Sequence, residues 1–547
     1  MKHLFQVNIG PVQGFIAASR KTRDLTAGSD LLVEITKGVA RLIEQDYQGE
    51  LIFPAEPDLP AANIVLAEVD CDPSQLAHAC RNAVVAHLMD SWKEVARGFK
   101  FLDADLAEAQ INAFPEVSCA WVPTSGNDYQ PAKERLDRLA SSRKTLREFM
   151  AAPTGRNRHM GSLDPGYEQV YDDKARKPFG TRVKPNERLD ALGVLKRFGA
   201  FSKDKNRYRM QSTRDVAISH LLSKLDNKNC QRAIEDGISV ADVLLGELDD
   251  YGFDEDRMKK YLLIQQELRK DLGWGQAIPE TPSYYAVILA DGDDMGKALR
   301  NLTNKDEHRN FSKKLAEEFA LKVQKLFESG GKAGQLVYAG GDDVLALVPL
   351  EGSVQLAQKL HDMFGDAMQA AKATATLSVG LAVVHVQENL RSALEFARHL
   401  ERTAKDVKGK NAIAIGVRPR SGGDVVVALP WNKEPNKLLS EAIEAFESRF
   451  APHGFPYEVR SLADELIRLE HLDNRLVNHE LIKAEYARIC GKKDSADEAK
   501  LVNLLPDGQH TPRTLRVFAD LLVIARSMKS KIEQNAHKAE NNVGVTS

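Results

Sequence analysis

The chain is poor in the features that would settle its class at once. Its five cysteines (Cys71, Cys80, Cys119, Cys230 and Cys490) include no CxxC pair. That argues against a zinc ribbon and for reduced thiols. No apolar run reaches the ~18 residues that a membrane-spanning helix needs. The opening MKHLFQVNIGPVQGF lacks the long apolar core of a secretory leader. A cytoplasmic location without membrane contact is therefore expected. A net charge of −3 supplies no global field that would draw in nucleic acid, so any such contact must come from local patches. What remains is ordinary: 547 residues, 43% hydrophobic and 28% charged. Such a chain is too long for one core and should divide into roughly three or four domains.

Periodicity divides it further. HLFQVNIG (3–10) reads as a strand, GSDLLVEITKGVARLIEQD as a helix, and ELIFP with ANIVLAEV as a strand pair. A long helix over 73–98 and a strand at 117–123 complete a ferredoxin-like βαββαβ unit in residues 1–125. Residues 126–280 read as a mostly helical, basic insert. A second unit at 281–425 opens on YYAVILA; its helix at 306–329, strand pair around 340–343, helix at 353–371, strand at 375–385, helix at 391–407 and last strand at 411–417 repeat the pattern with one strand more. Residues 426–530 read as helices, and the polar tail 531–547 as disordered. The expected class is α+β.

The chemistry gathers around VYAGGDDVLALVP (337–349). Alone, GGDD is a good hairpin turn, since glycine tolerates positive φ and aspartate caps turns. About fifty residues upstream, however, YYAVILA runs straight into DGDD, putting Asp291, Asp293 and Asp294 at a strand's C-terminal end. In a βαββ unit that end meets the hairpin turn, so Asp291, Asp342 and Asp343 converge, with Gly292 between the strand carboxylates. Such a cluster repels itself unless a proton or a hard cation compensates. Mg²⁺ or Mn²⁺ fits, because Mg²⁺ takes a few carboxylate oxygens together with substrate phosphates. Gly340 and Gly341 would let a triphosphate approach the backbone. Lys405, Lys408 and Lys410, at the end of the 391–407 helix and just after it, stand near the same edge and could neutralise phosphates. They equally suit a solvated helix C-terminus. Together the three elements point to a metal–nucleotide site.

The order DGDD, GGDD, LSVG and AKDVKGKN is similar to the palm domain of GGDEF-type nucleotide cyclases and class III adenylyl cyclases. With IGPVQGFIAASRKTRDLTAGSDLL (9–32), the chain resembles the large subunit of type III CRISPR effector complexes, the Cas ten family in its Cmr branch. The resemblance implies two palm domains and synthesis of cyclic oligoadenylates from ATP once the complex binds target RNA. Asp291, Asp342 and Asp343, together with Gly292, would hold Mg²⁺, with Asp293, Asp294, Gly340, Gly341, Ser378 and the three lysines toward nucleotide. A second ATP pocket in the first palm would use Gly28 and Ser29, which could instead mark a helix start capped by Ser29. Arg20, Lys21 and Arg23 would meet phosphate or RNA, or form a charged helix face.

The resemblance also implies guide RNA, target RNA and Cmr-type subunits as partners, a small helical subunit docking on the C-terminal helices. Arg176, Lys177 and Arg182, interleaved with aromatics in the insert, suit RNA; a solvated loop is the alternative. Many relatives begin with an HD nuclease domain. Here the first palm is expected to start at residue 1, and His361-Asp362 falls mid-helix, so no nuclease is expected. Nor is the zinc-binding cysteine cluster that relatives often carry. Two other functions stay open: the same site joining ATP to another acceptor such as S-adenosylmethionine, and a scaffold with a silent palm.

Overall fold

A computed structural model describes residues 1–61, 63–125, 128–146, 155–172, 174, 177–184, 186–202, 205–222, 224–225, 227–274, 282–328, 333–473, 477–492 and 495–533. Strands β1 (His3–Gly10), β2 (Glu50–Phe53), β3 (Ile64–Val69) and β4 (Glu116–Pro123) form an antiparallel sheet in the order β2-β3-β1-β4. The helices Thr22–Arg41 and Pro73–Ala96 cover the face presenting Phe5, Val7 and Ile9. Leu4, alternating to the other face, packs with Ala132, Leu136 and Ala140 of the helix Tyr129–Thr145.

The second sheet contains β5 (Tyr284–Asp293), β6 (Gln335–Gly340), β7 (Asp343–Pro349), β8 (Thr376–His385), β9 (Ala412–Val417) and β10 (Val425–Pro430), in the order β10-β9-β8-β5-β7-β6. Its four strands β8-β5-β7-β6, read from the far side, repeat the first sheet's order. β9 joins β8 in parallel through the helix Leu390–Lys405. β10 is an addition to the sequence reading, which takes 411–417 as the last strand and starts the helical C-terminus at 426. Its VVVALP runs antiparallel to β9, so the sheet continues to Pro430. The run is only six residues long and continuously apolar, so alternation gives no signal for it.

The four segments do not each own a core. One apolar cluster runs through the first sheet and its helices, the insert (Tyr171, Leu195, Val243) and one face of the second sheet (Tyr285, Val287, Leu345). Another joins the opposite face, through Ile288 and Val379, to the C-terminal helices, through Phe446, Phe455, Tyr486 and Leu522. Several short insert helices are capped from their own sequence: Asp190 accepts from Gly193 N at 2.8 Å, and Ser239 from Asp242 N at 3.1 Å. No helix among the described residues is long and apolar enough to cross a membrane. The tail beyond residue 533 lies outside the described residues.

Candidate metal and nucleotide site

Strand register brings the acids together. β5 pairs with β7 up to Ala290↔Val344, and β6 meets β7 at Gly340↔Asp343, leaving Gly341 and Asp342 as the turn. Gly341 takes φ +63°, which a side chain rarely adopts. Asp291, one residue past the last β5–β7 pair, therefore falls beside that turn. Among the described residues, Asp291, Asp342 and Asp343 offer carboxylate oxygens that all lie within 4.8 Å of one another. Gly292 makes this possible. A Cβ there would stand 2.7 Å from Asp342 Oδ2 and 2.8 Å from Asp342 Cβ.

The cluster is under electrostatic tension. Burial pushes the Asp342 carboxyl up to about 6. Asp343 is raised as well, by burial first and then by the charges of Asp342 and Glu401. Glu401, on the helix Leu390–Lys405, sits above the usual carboxylate range through burial. Lys405 answers part of this charge: it pairs with Asp291 and, at 3.0 Å, with Glu401. Burial and then neighbouring Lys410 bring its ammonium down to about 8. Four carboxyls against one such lysine make a donor set suited to a hard divalent cation: all oxygen, closely spaced, and only partly offset by protein charge.

The other expected site residues divide. Lys410 binds Asp294 at 2.8 Å, and Lys297 adds a second pair at 3.2 Å, so Asp294 anchors the loop after the Leu390–Lys405 helix. Lys408 is exposed in that loop. Asp293 and Ser378 are not open to a nucleotide: Asp293 is 2% exposed and Ser378 0%. Asp293 Oδ2 accepts from Ser378 Oγ, Thr376 Oγ1 and Asn411 N at 2.9–3.0 Å. The pair ties β5, β8 and the loop together, which corrects the nucleotide-contact reading. Gly28 and Ser29 lie within the helix Thr22–Arg41, whose N-cap is Lys21, so Ser29 does not cap it. Gly28 faces Lys196; its added Cβ would meet Lys196 Cδ at 3.0 Å.

The RNA assignments change more. Arg20 is exposed. Lys21 lies in a desolvated setting that lowers its ammonium to about 8. Arg23 donates to the carbonyls of Arg197 (3.0 Å) and Gly199 (2.9 Å) and lies over the Tyr208 ring. Arg182 donates to Glu235 O at 2.5 Å and lies over Phe198. Arg176, and the side chain of Lys177, lie outside the described residues. The insert's aromatics are core: Phe179 stacks on Phe198 at 5.1 Å, with Phe99, Phe101 and Tyr171 around them. Rings whose faces are spent on one another offer no stacking platform to bases.

A cleft of about 1540 Å³ opens between the first sheet's helix, the insert and the second sheet. Ser29, Asp30, Lys196, Tyr338, Gly340 and Asp343 are on its walls. Glu401 and Tyr338, whose hydroxyl is raised by burial and then by Asp343, were not singled out from sequence. Glu401 sits one turn before Lys405 on the same helix face, a spacing that carries signal only once Lys405 is known to matter.

Known proteins match along the same division. The family model of the second palm domain of Cas10/Cmr2 matches residues 284–414, and that of the N-terminal part of the CRISPR-associated protein Cmr2 matches residues 4–152. The CRISPR system Cmr subunit Cmr2 of Pyrococcus furiosus is 29% identical over 235 residues, 37% of this chain. That match spans 26% of the relative's own length. In fold, the chain is similar to a subunit in the cryo-EM structure of Type III-B Cmr-beta bound to cognate target RNA. The TM-score is 0.61 at 12% identity, over 96% of this chain and 83% of that one. It is similar also to the Csm1–Csm4 cassette in complex with cA4, with a TM-score of 0.51 at 15% identity, over 96% of this chain and 70% of that one. With the strands of the first sheet and β5 to β8 of the second in the matched regions, the acidic turn among them, the chain belongs to the Cas10/Cmr2 family, the large subunit of type III-B CRISPR systems.

Proposed function

We propose that this chain is the nucleotidyltransferase of a type III-B ribonucleoprotein, making cyclic oligoadenylates from ATP and releasing pyrophosphate. The observation that carries the reading is the convergence of Asp291, Asp342 and Asp343 within 4.8 Å beside a cleft large enough for nucleotides. These three acids would hold Mg²⁺ or Mn²⁺, which when bound supplies charge neutralisation at the reacting phosphates. In the reaction, a ribose 3′-hydroxyl gives up its proton to solvent, its oxygen bonds to the α-phosphorus of a second ATP, and the bond from that phosphorus to the bridging oxygen breaks, releasing pyrophosphate. Gly341, bare of side chain, gives phosphate access to the turn. Lys405, held by Glu401, is placed to meet negative charge that would otherwise oppose the acids. Guide and target RNA and other Cmr-type subunits are the proposed partners, with a small helical subunit on the C-terminal helices. The likeness in fold to a Cmr-beta subunit supports this.

The test is incubation of the chain, alone and in its complex with matching target RNA, with labelled ATP and Mg²⁺, products resolved by mass spectrometry. Cyclic adenylates absent from an Asp342→Ala/Asp343→Ala variant are expected. An adduct appearing only with S-adenosylmethionine would change the acceptor; untouched ATP with RNA still bound would leave a scaffold.

A further inference from the structure

We infer that Arg207, in the insert, is a positioning residue for the Gly340–Asp343 turn: it clamps the bulge of β6 against the first palm's helix. This rests on the reading of the acidic turn as a metal–nucleotide site and names what regulates its geometry.

β6 is an edge strand, and its outward carbonyls need partners. Its register with β7 slips between Leu336↔Ala346 and Tyr338↔Leu345, so Val337 has no partner opposite. Bulges of this kind bend a strand and re-aim the side chains beyond them. Arg207 fills that irregularity. Its Nη1 donates to Leu336 O at 2.5 Å and its Nη2 to Val337 O at 2.7 Å. The same guanidinium forks onto Asp30 of the helix Thr22–Arg41, at 2.9 Å from Nη2 and 3.2 Å from Nε. Gln335 Nε2 returns a bond to Arg207 O at 3.1 Å, and Tyr208 Oη donates to Asp30 Oδ2 at 2.9 Å.

One planar cation thus joins the insert, the first palm and the strand that three residues later becomes Gly340. A lysine could reach Asp30 or a carbonyl, but its point charge cannot reproduce the fork. Movement of the insert or of the first palm's helix is thereby transmitted to Tyr338, Gly340 and the acids after them.

The test compares the full chain with Arg207→Lys and Arg207→Ala, reading melting temperature, amide exchange across 336–343, and Mn²⁺ affinity by electron paramagnetic resonance, alongside turnover. Arg207→Lys should melt near the wild type yet exchange faster across the turn. Its Mn²⁺ affinity should weaken by about 10- to 100-fold. If product is made, kcat should fall with the KM for ATP little changed. A lysine variant that keeps wild-type Mn²⁺ affinity and exchange overturns the inference, whatever its melting temperature, leaving Arg207 as interdomain packing alone. A wild-type chain that makes no product while Mn²⁺ affinity still responds to Arg207→Lys counts against nucleotidyl transfer, not against the clamp.

Discussion

The two palms are built on the same strand order and part company at one end. Where β5 ends in Asp291, Gly292 and Asp293, β1 ends in Ile9 and Gly10, with Pro11 next. Where β6 and β7 turn through Gly341 and Asp342, β2 and β3 are joined by residues 54–63. In the first palm the gap between strand end and hairpin is bridged by neutral bonds, Asn63 Nδ2 donating to Ile9 O at 2.5 Å and Ile9 N to Asn63 O at 2.9 Å. In the second, carboxylates occupy it. The first palm does bury an acid: Asp24 is paired with Arg197, which also binds Glu187 at 2.6 Å. Burial opposes the Asp24 charge, yet Arg197 holds its carboxyl down at about 2. An arginine of the insert compensates the first palm's buried charge, whereas the second palm's acids are only partly compensated, by Lys405. A fold alone does not choose between these.

The contrast can be broken most severely at the acids themselves. Asp342→Ala/Asp343→Ala should cut product formation by about 10³-fold or more. The folded chain should persist, as read by circular dichroism. The corresponding blow to the first palm is structural. Arg197→Met strands Asp24 and Glu187 without their partner and should cost about 3–5 kcal/mol in a denaturant titration. Next comes the pair of strand-end glycines. Gly292→Ala drives a methyl into Asp342 and should lower metal affinity and turnover by about 10- to 100-fold. At Gly10, an added Cβ finds its nearest neighbour at 3.7 Å, so Gly10→Ala should cost less than about 1 kcal/mol and spare activity.

The smallest effect concerns pH. Raised carboxyls at Asp342 and Asp343 mean that the folded, metal-free chain binds protons the unfolded chain releases. Their contribution therefore weakens stability as pH rises from about 4 through about 8. Melting-temperature gains on adding Mn²⁺ should be larger at pH 8 than at pH 5. Asp24 behaves oppositely: its stabilisation is present above its unfolded pKa and lost only as pH falls toward about 2.

Much of this was legible before any coordinates. Short apolar runs bounded by turn residues, and helical spacing, placed β1 to β9 and the long helices, because buried strands and amphipathic helices leave those patterns in the chain. The convergence of Asp291 with GGDD came from βαββ topology alone. What misled was chemistry read without exposure. Arg23, Arg182, Phe179 and Tyr208 look like an RNA surface in one dimension; in three, Phe179 and Tyr208 are buried and the two half-buried arginines donate to backbone carbonyls. Ser378 and Asp293 lie next to the acids in the motif, yet side-chain bonds turn them to each other.

By itself, then, the sequence determined the two ferredoxin-like units, the glycine-bounded acidic turn and the family, since each is carried by residues close together in the chain or by a fixed strand order. Only the tertiary structure decided which cations face solvent, that Glu401 and Lys405 stand beside the acids, and that Arg207 reaches from the insert to β6. Those depend on contacts between segments far apart in the chain, Arg207 and Leu336 among them, and local pattern carries no record of which buried charge will find which partner.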